Sequence, residues 1–345
     1  MNAFRLIAPH TTELCSIPQP EPGPGEVLVR VGAAGVCHSD LQIIDAPDAL
    51  GMPVPLTLGH ENAGWIEALG AGVAGFERGD AVAIYGIVGC GRCVACLAGR
   101  DNACRRIPPG GIGLSRDGGM AEFVVVPARQ LIPIGDLDVA QAAPLTDAGL
   151  TPYHAIVVTR RGLRPSATCV VIGVGGLGHM AVQILAATTA SRIVAVDVRK
   201  EALALAREVG AHHAIQSNDD TVRAIRDLVG PSPGGADVVL DCVGSPATVD
   251  TARAVVTTGG DIAIVGLGGG ALPVGFGTIA METRVSVPFW GTRAELAEVI
   301  ALAQRGRIRA HVERFSLTDV RHAYDSLRAG RVNGRAVVIP GARAA

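Results

Sequence analysis

The rhythm of hydrophobic and polar positions changes once along this chain, after Leu137. Before that point, short apolar or alternating runs are separated by glycine and proline. A turn rich in both closes at Gly25, and strands are predicted over residues 26–33, 61–69, 80–85 and 121–126. Short strands at irregular spacing predict a small barrel. After Leu137 the apolar positions recur at helical spacing over residues 139–146 and 150–160, and then strands and helices alternate. Residues 168–173 form a fully apolar strand, followed by a helix over 176–188, a strand over 192–197 and a helix over 200–209. A weaker strand lies at 213–216, and further strands are predicted at 236–244, 261–267 and 285–290. Continuous apolar strands alternating with helices predict a parallel sheet covered on both faces, and six of them fit a doubly wound dinucleotide fold. A tail with a helix at 294–304, a strand-like run at 311–317, another helix and a strand at 334–340 is long enough to return to the first region.

Composition narrows the reading. A length of 345 residues suggests two domains, and 48% hydrophobic residues allow a sizeable core. The formal charge of −2 gives no electrostatic reason to expect nucleic acid or an anionic membrane as partner. No stretch reaches the roughly 18 apolar residues of a membrane span, and the first residues lack the apolar run of a signal peptide, about 7–15 residues long. A cytoplasmic protein is therefore expected. Four of the eight cysteines fall between positions 90 and 104. Clustering of that kind in a cytosolic chain points to metal rather than to a disulfide framework.

Gly173-Val174-Gly175-Gly176-Leu177-Gly178 follows an apolar strand and opens an apolar helix. The first glycine permits the turn, the second lets backbone approach a pyrophosphate, and the third lets helix and strand pack closely. The helix N-terminus supplies free N–H groups and a positive dipole for phosphate. Asp197 ends the next strand, nineteen residues after Gly178. A carboxylate there accepts hydrogen bonds from ribose hydroxyls and repels a 2′-phosphate, which favours NAD over NADP. Arg199 and Lys200, close behind, are charges that would welcome that phosphate. A glycine-rich turn followed by a solvated carboxylate is the plainer alternative.

Cys90, Cys93, Cys96 and Cys104 place four thiols in one loop, with Gly91, Arg92, Gly99 and Arg100 among them. Four thiolates suit a closed tetrahedral structural zinc site, and unrelated thiols or a redox pair are the alternatives. A second set would have to assemble from distant segments: Cys37 with His38, Ser39 and Asp40, then His60 with Glu61, then Asp147. Cys37, His60 and Asp147 would leave a fourth position open, as a catalytic zinc requires. A histidine beside glycine also fits a structural role, and Asp147 also fits a cap on a helix starting near Ala148.

Five marks together resemble the zinc-containing medium-chain alcohol dehydrogenases over essentially the full length: G-x-C-H-x-D at 35–40, G-H-E at 59–61, the four-cysteine loop, "DGGMAEFVVV" at 117–126, and the glycine motif with Asp197. The runs "PLTDAGLTPYHA" and "VIGVGGLGH" look closest to actinobacterial secondary-alcohol dehydrogenases. The resemblance implies an α/β protein with a GroES-like β-barrel catalytic domain over 1–147 and 289–345 and a Rossmann domain over 148–288. It implies NAD and two zinc ions per chain, one catalytic at Cys37, His60 and Asp147 and one structural at the four cysteines. Asp147 stands where many members carry a second cysteine. Glu61 is implied as a carboxylate able to approach the metal, Asp40 as the partner of His60, and Ser39 as the hydroxyl that takes the substrate proton. His38 and Arg335 are implied near the pyrophosphate, Thr151 near the nicotinamide, and Gly173 to Gly178, Asp197 and Arg199 around the nucleotide. Where many members carry a histidine that ends the proton path, this chain has Gln42, which does not titrate.

The expected reaction is reversible hydride transfer between NAD and small to medium alcohols, mainly secondary, with ketones and aldehydes in reverse. Candidate pocket residues are Ile43, Leu50, Trp65, Tyr85, Phe289 and Trp290, which are mostly apolar and also fit ordinary core positions. Rival readings are a polyol or sugar dehydrogenase on the same scaffold, a zinc-free quinone reductase, and an NAD-binding structural protein. The sheet edge at 285–289 is the one relatives use to pair subunits, so a homodimer is expected, with a tetramer second.

Overall fold

The computed structural model describes residues 1–107, 110–229 and 235–341. The elements run in chain order as β1 (Asn2–Ala8), β2 (Thr11–Ser16), β3 (Glu26–Gly35), α1 (His38–Asp45), β4 (Leu56–Thr57), β5 (Glu61–Leu69), β6 (Ala81–Ile84), α2 (Val94–Leu97), β7 (Phe123–Pro127), β8 (Leu131–Pro133), α3 (Val139–Pro144) and α4 (Leu150–Val158). There follow β9 (Thr168–Ile172), α5 (Gly178–Thr188), β10 (Arg192–Asp197), α6 (Lys200–Glu208), β11 (His213–Gln216), α7 (Thr221–Val229), β12 (Ala236–Asp241), α8 (Pro246–Val255), β13 (Val256–Ile264) and β14 (Arg284–Ser286). The last elements are α9 (Arg293–Gln304), β15 (Val312–Ser316), α10 (Val320–Arg328) and β16 (Arg335–Ile339). Among the described residues, no helix is long and apolar enough to cross a membrane.

The chain divides into two compact units, one of residues 1–150, 292–304 and 310–345, the other of residues 151–291 and 305–309. In the first, a small antiparallel sheet runs β2-β1-β4, and a larger one runs β15-β16-β3-β5-β6-β8, with β7 also on β3. The β3–β5 pairing shifts register twice, between Leu28 and Val29 and between Val31 and Ala33. Such bulges bend a strand pair and raise its twist, which curls the sheet around its core. That core includes Phe4, Val29, Leu58, Ile66, Met120 and Tyr324. The tail contributes β15, β16 and α10 to this unit.

In the second unit six strands lie in the order β11-β10-β9-β12-β13-β14, every pairing parallel. The crossover between β9 and β12 is the point where strand order reverses, which is where doubly wound sheets open a crevice for ligands. All five residues of β9 are buried, as a strand covered on both faces requires.

Two of the differences from the sequence expectation have a plain physical cause. The sixth strand ends at Ser286 instead of continuing to residue 290. Pro288 has no N–H to give to a ladder, and Val287 is exposed. The helices expected at 139–146 and 150–160 are one helical run interrupted by a π-helical turn, Leu145–Gly149. Within it the Leu150 N–H donates back to the Leu145 carbonyl, five residues earlier. Asp147 therefore lies inside a helix and is not a cap. The cap of α3 is Asp138, which accepts from the Ala140 amide at 3.0 Å.

Candidate metal centres and nucleotide turn

Three distant segments of the first unit converge on one point. Cys37 sits between β3 and α1, His60 immediately precedes β5, Glu61 opens β5, and Asp147 lies in the π turn. One donor atom from each of the four lies within 4.8 Å of the others. Cys37 Sγ is 3.7 Å and His60 Nε2 3.6 Å from Asp147 Oδ2. Glycines clear the space. A Cβ on Gly35 would strike the Glu61 carboxylate at 1.9 Å, and one on Gly59, whose φ is +95°, would meet the Met120 amide nitrogen at 2.8 Å. The cluster is withdrawn from solvent, with Cys37 8%, His60 3% and Glu61 0% exposed.

A polar ring fixes these side chains. His60 Nδ1 lies 3.0 Å from Asp40 Oδ1. The Nδ1–H donates to this carboxylate, which turns Nε2 toward Cys37 and Asp147. Asp40 Oδ2 accepts from the Cys37 amide at 3.1 Å and from the Tyr324 hydroxyl at 3.1 Å. Ser39 Oγ stands 3.5 Å from His60 Nε2. Arg335 Nε donates to Glu61 Oε2 at 2.9 Å, its Nη2 donates to Glu61 Oε1, and that same Nη2 lies 3.4 Å from Asp147 Oδ2. Burial disfavours the charged His60 ring, but Asp40, Asp147 and Cys37 outweigh it and hold its pKa well above the usual value. Burial pushes the Glu61 carboxyl up to about 7, against the pull of Arg335. Cys37, Glu61 and Asp147 are three groups able to carry negative charge, with the single Arg335 guanidinium beside two of them, so the cluster has room in its charge balance for a further cation. A thiol, an imidazole and a carboxylate are the donor types that bind zinc, so this set fits that ion.

Cys90, Cys93, Cys96 and Cys104 likewise bring their sulfurs within 4.8 Å of one another. Cys93 and Cys96 are 3.5 Å apart, and Cys90 and Cys96 3.9 Å. Backbone N–H groups of Arg105 and Cys96 lower the Cys93 thiol to about 6, and those of Cys90 and Arg106 lower Cys104. Burial pushes Cys96 up to about 12. Four thiols with amide donors aimed at them fit a closed structural zinc site. The loop is pinned by buried Asp101, whose carboxylate lies 3.6 Å from Arg129 Nη1 and 3.2 Å from Arg293 Nε. Arg129 also donates to the Gly89 carbonyl at 2.6 Å. Nothing in the spacing of the sequence signals this anchor, because Arg293 comes from α9.

In the second unit Gly173 has φ +84° and starts the turn from β9 into α5. A Cβ on Gly178 would lie 1.8 Å from the Gly173 carbonyl, so helix and strand approach too closely for any other residue. A Cβ on Gly175 would meet nothing within 4 Å, so this glycine borders open space rather than packed protein. Gly176 and Leu177 complete the turn, half-buried. Open space beside bare backbone at a helix N-terminus fits a pyrophosphate. Asp197 plays a part that its position in the sequence does not reveal: Oδ2 accepts from the Val174 amide at 2.7 Å and Oδ1 from the Arg199 amide at 2.8 Å. The carboxylate thus shapes the glycine turn. Arg199 Nε lies 4.0 Å from Asp197 Oδ1.

The remaining expected residues fall in varied surroundings. His38 is exposed at the start of α1, and Thr151 is buried in α4. Arg335, expected near a pyrophosphate, is 3% exposed and directs its guanidinium at Glu61 and Asp147. Ile43, expected to line a pocket, is a core residue of the first unit, because the inner face of α1 packs there. Tyr85 is fully buried, and its phenol is raised by burial and by nearby Asp101. Leu50 is 45% and Phe289 39% exposed. Trp290 is buried edge-on to Phe289, with ring centroids 6.0 Å apart. Trp65 lies under Arg30, 4.6 Å from the guanidinium carbon. Tyr324 was missed by sequence reasoning, although a buried tyrosine must find a partner for its hydroxyl, and the chain has only three tyrosines to ask that of.

Two family models match the chain: the alcohol dehydrogenase GroES-like domain over residues 23–136 and the zinc-binding dehydrogenase over residues 176–305. An NAD-dependent alcohol dehydrogenase of Sulfurisphaera tokodaii is 36% identical over 99% of this chain and 100% of its own length. A D-arabinose 1-dehydrogenase (NADP(+)) of Saccharolobus solfataricus is 33% identical over 93% of this chain and 92% of its own. Among solved structures, the alcohol dehydrogenase of the hyperthermophilic archaeon Aeropyrum pernix superposes with a TM-score of 0.92 at 37% identity, covering 99% of this chain and 100% of its own. A thermostable alcohol dehydrogenase of Pyrobaculum aerophilum with cobalt and zinc bound gives 0.87 at 30% identity, covering 99% of both chains. These relatives are archaeal; the actinobacterial enzymes suggested by the motifs are not among them.

Proposed function

Because the chain belongs to the zinc-type medium-chain alcohol dehydrogenase family, and so is an NAD-dependent oxidoreductase of alcohols, we propose that it interconverts small to medium secondary alcohols and ketones at Cys37, His60 and Asp147, with a catalytic zinc there and a structural zinc at the four cysteines. The observation that carries this reading is the convergence of Cys37, His60, Glu61 and Asp147 within 4.8 Å from three parts of the chain. The resemblance of residues 144–155 and 171–179 to runs in secondary-alcohol dehydrogenases supports the substrate class.

When bound, zinc supplies a Lewis acid that favours the deprotonated form of an alcohol, and NAD supplies the hydride acceptor. The chain does the rest. Asp40 holds the His60 ring so that Nε2 faces the centre. Ser39 Oγ, 3.5 Å from that nitrogen, takes the substrate proton. Glu61 and Arg335 keep a paired charge in reserve beside Asp147. The amides of the glycine turn receive the pyrophosphate, and the Asp197 lone pairs not used by Val174 and Arg199 receive ribose hydroxyls. Asp197 also repels a 2′-phosphate, which supports NAD over NADP.

A cytoplasmic setting suits the reduced thiolates that both centres require. We further propose a homodimer formed along β14, the edge strand of the parallel sheet. Val274, Phe276 and Val287, in the neighbouring stretch of chain, are 66%, 99% and 75% exposed. Sedimentation of the purified protein tests this, and a monomer would remove it.

The decisive experiment is NAD reduction across secondary alcohols, diols, aldehydes and aldoses, with and without a chelator, alongside metal analysis. The expectation is fastest turnover with secondary alcohols, loss on chelation, and about two zinc per chain. The D-arabinose dehydrogenase relative favours a second reading, a sugar dehydrogenase. Turnover of aldoses well above that of simple secondary alcohols would replace the first reading with that one.

A further inference from the structure

The Asp40 carboxylate is fully buried, and its three donors come from three places. Its Oδ1 faces His60 Nδ1 at 3.0 Å, while Oδ2 accepts from the Cys37 amide and the Tyr324 hydroxyl, each at 3.1 Å. Two of these donors belong to the metal-binding residues themselves and move with them. The Tyr324 hydroxyl comes from outside the set, on α10, 284 positions along the chain from Asp40. We propose that Tyr324 is a positioning residue for the Cys37, His60 and Asp147 centre, acting through Asp40 to set the aim and donor strength of the His60 ring; this rests on the zinc reading above.

The physical argument has two parts. First, Tyr324 is a fixed post. It is 4% exposed, belongs to the core of the first unit, and stacks on Phe4 with ring centroids 5.7 Å apart and planes 19° off parallel. A hydroxyl held by such packing has little freedom, so it fixes the carboxylate that it binds. Burial and the adjacent Asp40 hold its phenol well above the usual pKa, which keeps it a donor. Second, hydrogen bonds share out charge. A carboxylate oxygen that accepts from Tyr324 has less electron density to offer through its other oxygen to the His60 N–H. Removing the hydroxyl leaves a buried Oδ2 one donor short, a loss that water cannot easily repair at a fully buried site. Asp40 then shifts toward the donors left to it, His60 and Cys37, and disturbs both metal-binding residues at once.

The test is cobalt substitution of the whole protein, whose thiolate–cobalt absorption reports ligand geometry. A Cys37→Ser protein, retaining the four-cysteine centre alone, provides the background spectrum. In Tyr324→Phe the ring and its stack remain and only the hydroxyl is lost. The expected result is a shifted absorption band for the Cys37 centre and release of its metal to a chelator roughly 3–30-fold faster, somewhat less than removal of a direct ligand partner causes. The four-cysteine metal should leave at the wild-type rate. Phe4→Leu, which loosens the stack but keeps the hydroxyl, should lower thermal stability and move the band less than Tyr324→Phe does. An unchanged band and release rate in Tyr324→Phe overturns the inference, and so does a Phe4→Leu protein that reproduces both changes at full size. If wild-type protein takes up no cobalt at Cys37, the zinc reading itself fails, which is a different result from wild-type uptake that Tyr324→Phe leaves untouched.

Discussion

The two candidate metal centres of the first unit are built in opposite ways. The four-cysteine loop draws all its donors from fifteen consecutive positions, and its polar support is mostly backbone N–H. The Cys37 centre draws on residues 110 positions apart, and its support is side chains: Asp40, Arg335 and Tyr324. A local loop can close four equal ligands around an ion and hold it for stability. A centre assembled by the fold can mix ligand types, leave a side open and tune each ligand separately, as chemistry requires. On the proposed reading, the difference separates what holds the protein together from what makes it reactive.

A reciprocal pair of substitutions should show the largest effect. Asp147→Asn should lower kcat/KM by on the order of 10³-fold and move Tm by less than about 3 °C. Cys104→Ser should do the reverse, lowering Tm by about 10 °C while kcat/KM per folded molecule stays within about threefold. Steady-state kinetics with calorimetry read both, and equal behaviour of the two proteins would erase the distinction. Next, Arg335→Ala should leave Glu61 buried and unpaired, costing about 3–5 kcal/mol in denaturant unfolding, because stranding one member of a buried ion pair is expensive. A cost under about 1 kcal/mol would mean that the centre does not depend on side-chain support. A smaller effect is expected for Asp101→Asn, about 1–3 kcal/mol, with faster loss of the four-cysteine metal and unchanged kcat. A fall in kcat there would couple two centres that the comparison treats as independent. Smallest is Gln42→His, which would give the proposed proton route from Ser39 a titratable end. Turnover should acquire an added dependence on pH near the histidine range, at about 6–7, with less than roughly tenfold change in its maximum. A superimposable pH–rate profile counts against a proton route along α1.

The same contrast explains what could be read from the chain. The four cysteines and the Gly173 to Gly178 turn are legible because their chemistry depends on spacing within a loop. The parallel strands are legible because burial on both faces writes them as unbroken apolar runs, as in β9 and β10. Cys37 and His60 are visible only as candidates, since nothing local brings them together. Asp147 is harder still. Periodicity cannot separate a π turn from an α-helix over five residues, and the extra residue aims this side chain. Ile43 was left with two roles open, pocket or core, because an apolar residue near a site suits either, and it packs in the core. Asp197 was read as a ligand group alone, although its carboxylate also ties down the Val174 amide. Tyr324 and Arg293 act on segments far from their own, and long-range partners leave no trace in local pattern.

The π turn at Leu145–Gly149 also has an implication for how such a centre is gained or lost. Successive residues of an α-helix are rotated by about 100°. Helix α3 is locked against β3 and β5, so it cannot rotate to compensate for a change in length. A chain one residue shorter between Pro144 and Asp147 would keep both flanking helices, yet swing this carboxylate a quarter-turn or more away from Cys37. Here an insertion or deletion of one codon, rather than any exchange of side chains, would be the smallest genetic event able to switch the chemistry on or off while sparing the scaffold.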